Sequence, residues 1–198
     1  MDIESLALPA VGLIFITGLV LLLSWDWRLS ISALAVQYLG ITVLVGVSWP
    51  IDIAVVKLLA GWMAGAVLGI GLLGCQEERI SEENLTVSFI LYRVLLAVMV
   101  GLVATSLSSG MVRWIEKISW AQACGGLILI GLGLIHLGLT SKPFRVILGL
   151  LTVIGGFEII YAAVESSILL AGLLAGVTLG LALVGTYLIN APSLEEVN

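Results

Sequence analysis

The stretch from Pro143 to Ile189 is apolar past Arg145, apart from two carboxylates, Glu158 and Glu165. As one helix it would run about 70 Å at 1.5 Å per residue. A bilayer core is about 30 Å thick, so the stretch must be two spans with a turn between them. The break falls at Val164-Glu165-Ser166-Ser167, where a carboxylate and two hydroxyls suit a helix N-terminus at the interface. That leaves Glu158 about two turns inside the sixth span. A carboxyl group held there is costly unless it is protonated, paired or wetted.

Composition agrees with a chain dissolved in lipid. Of its 198 residues 61% are apolar and only 11% charged, which excludes an ordinary soluble domain and predicts an all-α, polytopic membrane helix bundle. The net charge is −5 and no basic patch or tail stands out, so nucleic acid is excluded as a partner. Cys75 and Cys124 are too few for a disulfide or metal framework and read as small apolar residues, Cys75 at a membrane edge and Cys124 inside a span. The acidic start, Met1-Asp2-Ile3-Glu4-Ser5, lacks the features of a cleaved signal, so the first span is expected to be retained.

Seven transmembrane helices follow from the apolar runs, in a single membrane domain, 1–198. They are expected at about 8–24, 29–47, 51–74, 86–107, 120–139, 144–164 and 166–189. Trp25-Asp26-Trp27-Arg28 is a polar turn with two indoles at headgroup level. The longest polar loop, Cys75–Leu85, carries Glu77, Glu78, Arg79, Glu82 and Glu83. Residues 108–119 place Met111, Trp114, Ile115 and Ile118 opposite Arg113, Glu116 and Lys117, which predicts an amphipathic segment along the interface. Arg28, Arg79, Lys142 and Arg145 lie in or beside the loops after spans one, three and five, against Arg113 and Lys117 on the other side. This favours a multi-pass protein of the cell membrane with its N-terminus outside and its C-terminus in the cytoplasm. The stripes Gly61-x-x-x-Gly65-x-x-x-Gly69 and Gly172-x-x-x-Gly176-x-x-x-Gly180 predict close helix packing inside the bundle, in spans three and seven.

Among the intramembrane polar residues, Glu158 lies about 10 Å from the outer face, and Lys57, six residues into span three from that face, lies about 9 Å deep. An acid and a base at one depth suggest a pair, or two stations on a proton path; the alternative is a static salt bridge joining two spans. Gln37, near the middle of span two, can hydrogen-bond between helices or hold a water. The imidazole of His136, near the cytoplasmic end of span five, can relay a proton, or serve as a hydrogen-bonded interface residue. Arg93 is expected to snorkel to the cytoplasmic interface, Asp52 to cap span three and Glu165 to open span seven. No nucleophile–base set, phosphate loop or metal-ligand cluster is present in the sequence, and no cofactor is expected.

Four local features carry a family resemblance. Arg28-Leu29-Ser30 opens span two and Gln37 follows nine residues after Arg28; Lys57-Leu58-Leu59 lies in span three; Phe144-Arg145-Val146-Ile147-Leu148-Gly149 opens span six; and the span count is seven. In these the chain resembles the hydrogenase-4 component E family, membrane subunits of formate hydrogenlyase-type complexes. The last three spans also resemble the K subunit of respiratory complex I and its three-span counterpart in Mrp-type sodium/proton antiporters. Glu158 in Gly155-Gly156-Phe157-Glu158-Ile159 matches an essential intramembrane glutamate there. The chain departs from these patterns in places. Counted from Gly149, the component E carboxylate falls at Ile154, and Glu158 falls on a family histidine one helical turn away. The second glutamate of K subunits is missing, since Thr178 and Thr186 are the polar residues within span seven.

The resemblance implies a non-catalytic subunit of an ion-pumping complex. It would neighbour antiporter-like membrane subunits and contribute Glu158, Lys57, Gln37 and His136 to a lateral proton (or sodium) path. A stand-alone small transporter would instead show inverted repeats and broken helices. A purely structural anchor of an electron-transfer complex would tolerate loss of Glu158 and Lys57.

Overall fold

The computed structural model describes residues 3–73, 87–165 and 167–191. Among them there are seven helices and no strand. The helices are α1 (Ile3–Leu23), α2 (Trp27–Gly46), α3 (Ile51–Leu73), α4 (Val87–Trp114), α5 (Trp120–Gly138), α6 (Pro143–Val164) and α7 (Ile168–Asn190). All seven are long and apolar enough to cross a membrane. Cys75, the acidic loop around it and the C-terminal tail lie outside the described residues.

The helix ends follow local chemistry. Asp26 caps α2 by accepting from the Arg28 N–H at 2.9 Å. Ser119 and Gln122 form a reciprocal capping box at the start of α5. Pro143 occupies the first turn of α6, where its missing N–H costs nothing. Asp52 sits in the first turn of α3. Two expectations at helix ends are corrected. Glu165 closes α6 rather than opening α7; its N–H bonds back to the Tyr161 carbonyl, and Ser167 precedes α7. Residues 108–114 are not a separate interfacial segment but the last turns of α4. No proline interrupts them, and the hydroxyls of Thr105, Ser108 and Ser109 fold back onto carbonyls of their own helix. Met111, Val112, Ile115 and Ile118 pack with Ala123, Ile160 and Ala163 in a small cluster, whereas Trp114 points away and is 90% exposed.

Helices α1, α2, α5 and α6 build the centre, with α3 beside α2. The α5–α6 pair is the tightest. A β-carbon added at Gly156 would lie 2.6 Å from the Gly126 carbonyl, and one at Gly133 would lie 2.9 Å from that of Gly149. Two glycines seven residues apart on each helix therefore let the two backbones touch. Helix α7 lies mainly along α3, joined by the Thr186 hydroxyl to the Val67 carbonyl and by the Asn190 amide to the Gly71 carbonyl. Helix α4 flanks α5 on the opposite side and exposes most of its apolar surface, as a lipid-facing helix should.

The two glycine stripes behave differently. Gly61 receives the Tyr38 ring, and Gly65 and Gly69 meet Ile31, so the α3 stripe is filled by α2. Nothing stands within 4 Å of a β-carbon at Gly172, Gly176 or Gly180. The expectation that the α7 stripe packs inside the bundle is thus corrected, because α7 presents another face to α3.

Candidate functional site

Lys57 and Glu158 meet. The ammonium Nζ donates to Glu158 Oε1 at 2.6 Å, and each side chain is 2% exposed. The helices that carry them are not close-packed neighbours; α2 and α7 each contact both, and the lysine stem crosses the junction of the four. Glu158 lies two residues after Gly156, which seats α6 directly on the α5 backbone. Lys57 is on the face of α3 that carries Gly61, one turn further on, and is buried with it.

Tyr38 completes the junction. Its ring lies on Gly61, and its hydroxyl stands beside Thr178 of α7 and within the field of Glu158. Sequence reasoning missed Tyr38. The available signal was its place in mid-span, away from the interfacial belts where tyrosine usually sits. Thr178 is 1% exposed and donates to the Leu174 carbonyl of its own helix.

Several buried polar atoms here find no hydrogen-bond partner among the described residues. They include Glu158 Oε2, Tyr38 Oη and both amide atoms of Gln37. Gln37 is fully buried. Each such atom costs about 1–3 kcal/mol if it stays unpaired, so side chains like these persist where they bind water or handle charge. Ile41 packs on Gly155, which places Gln37 about 10 Å from Glu158 along the bundle axis. No hydrogen bond joins Gln37 to the pair. His136 is further still towards the other end of the bundle, 6% exposed, in the neighbourhood of Arg93 and Arg145, with Nε2 unpartnered among the described residues. The structure therefore brings Lys57 and Glu158 together and leaves Gln37 and His136 apart from them.

That other end holds a second charged centre. Arg93 is 2% exposed, its guanidinium turned towards the Trp25 turn. Its guanidinium donates to the Leu22 carbonyl at 2.7 Å and lies over Phe89 at 4.5 Å. Arg145, 6% exposed, donates to the Ser24 carbonyl. Both cations thereby satisfy carbonyls at the C-terminal end of α1, where the helix dipole is negative. Trp25 is their platform, 4.2 Å from Arg145, 5.4 Å from Arg93 and 5.5 Å from the Lys142 ammonium. The indole is committed to these cations.

The chemistry open to the pair is proton exchange. A lysine and a carboxylate in direct contact can exist as two ions or, after one proton moves from Nζ to the carboxylate, as two neutral groups. The unpartnered Oε2 leaves a second point of access. Among the described residues no three His, Cys, Asp or Glu side chains converge as a metal site would require. Compared with family models, curated proteins and solved structures, the chain matches none.

Proposed function

We propose that the chain is a non-catalytic membrane subunit of an ion-pumping assembly of the complex I or hydrogenase-4 kind. In this reading it carries part of a lateral proton (or sodium) path through Glu158 and Lys57. The observation that carries it is the buried pair: a titratable acid and base 2.6 Å apart at a four-helix junction, with Glu158 Oε2 and the Gln37 amide unpartnered around and below it. Loose buried polar atoms lower stability unless they bind water or handle charge. The resemblance to hydrogenase-4 component E, and of the last three spans to small complex I and Mrp components, supports the same reading. The excess of Arg and Lys on one side favours an N-terminus outside and a C-terminus in the cytoplasm. Antiporter-like subunits are the neighbours this role requires, and redox cofactors belong to partner chains.

The test is Glu158→Gln in the native assembly. The expected result is intact assembly with proton translocation lost while electron transfer continues or slows. Full coupling in the variant refutes the role. One observation favours a structural role instead, namely the direct contact itself, since a salt bridge between spans also fastens helices. That reading expects Glu158→Gln to lower the yield of assembled protein and leave the coupling of what assembles unchanged.

A further inference from the structure

At the end of the bundle nearest the pair, the α2–α3, α4–α5 and α6–α7 links surround a polar pocket of about 290 Å³. Its rim carries the exposed Ser48, Lys117 and Glu165. Its floor is Ala162 and Ala163 of α6, 3% and 4% exposed. Ala162 follows Glu158 by four residues, so it lies on the same helix face, about 6 Å nearer the membrane surface. Glu158, whose Oε2 makes no hydrogen bond among the described residues, is one turn below Ala162 on that helix.

We infer that this pocket is the aqueous port of the Lys57–Glu158 pair, admitting water and the protons it carries through the Ala162 floor. The inference rests on the proposed proton role and adds where the pair meets water. Four features carry it. The pocket is lined by a hydroxyl, an ammonium and a carboxylate, so it holds water rather than acyl chains. Lys117 and Glu165 carry opposite charges, so the mouth repels neither sign of ion strongly. The floor is two methyl groups, the smallest side chains that keep α6 helical without closing a route down its face. At the opposite end Arg93 and Arg145 do not release a proton at neutral pH, and His136 stands apart from the pair.

The port is tested in the full chain within its assembly, with Cys75 and Cys124 replaced by alanine and a single cysteine placed by Ala162→Cys. A small, membrane-impermeant methanethiosulfonate is applied from each face in turn, with Ser48→Cys marking the face of the rim. The expected result is that Ala162→Cys reacts from the face that labels Ser48→Cys and from that face only, and that its modification stops proton translocation. If Ala162→Cys assembles poorly, Ala163→Cys reads the same floor. The inference is overturned if the floor stays unlabelled while the rim reacts, or if it reacts from the opposite face. It is also overturned if modification leaves translocation unchanged in a chain that Glu158→Gln disables. Should Glu158→Gln leave translocation intact, the proposed function fails by itself, and the labelling alone then decides whether the port exists.

Discussion

Two charged centres stand at opposite ends of this bundle, and they solve the problem of charge in oil differently. Near α1's C-terminus, Arg93 and Arg145 donate to the carbonyls of Leu22 and Ser24 and lie over the Trp25 ring. Those are permanent charges spent on fixed backbone acceptors. Across the bundle, Lys57 meets Glu158 at 2.6 Å, and the carboxylate's second oxygen has no partner among the described residues. Guanidinium never gives up its proton at physiological pH, whereas lysine and glutamate can trade one. Burial alone therefore does not mark function. The chemistry of the partners distinguishes the two centres: in the proposed reading one is scaffold and the other a site.

The comparison breaks most readily at the pair. Lys57→Met should abolish translocation and also destabilise the chain, since removing one partner of a buried ion pair costs about 3–5 kcal/mol. Thermal unfolding in detergent and vesicle uptake read the two effects separately; unchanged stability would mean the pair is wet. At the other centre, Arg145→Gln should cost about 1.5–3 kcal/mol through the lost charged hydrogen bond to Ser24, with coupling per assembled complex unchanged. Loss of coupling at full stability would erase the distinction between the centres.

Gln37 gives a sharper, smaller contrast. Gln37→Leu removes two unpartnered polar atoms at similar volume, so the melting temperature should hold or rise, while translocation slows several-fold. A fall in stability would show that the amide is an inter-helix fastener. The two glycine stripes should separate from each other. Gly61→Ala drives a methyl into the Tyr38 ring and should cost about 1–3 kcal/mol. Gly176→Ala meets nothing within 4 Å and should stay within about 0.5 kcal/mol of the parent. A large loss at Gly176 would reveal a contact made by that face in the membrane.

Length and hydropathy made the seven helices legible, because the bilayer fixes how long an apolar run must be. Counting residues from the ends also put Lys57 and Glu158 at one depth. Depth is one coordinate; rotation about each helix is the other, and a sequence with no amphipathic stripe hides it. So depth alone gave no sign that Arg93 is buried on Trp25 and Phe89 against the end of α1. The same gap concealed Tyr38, and it made the α7 glycines look like a packed face. The α5–α6 contact was written in the sequence, as Gly126 with Gly133 and Gly149 with Gly156, but at a seven-residue spacing that is easily passed over.

The most direct measurement is proton uptake by vesicles carrying the double variant Lys57→Met, Glu158→Gln in its assembly. Replacing both partners removes the buried charges without orphaning either, so folding should survive, as such replacements are often neutral. The proton-path account predicts normal assembly and no uptake above background. Uptake at the parent's rate by the neutral pair would contradict it.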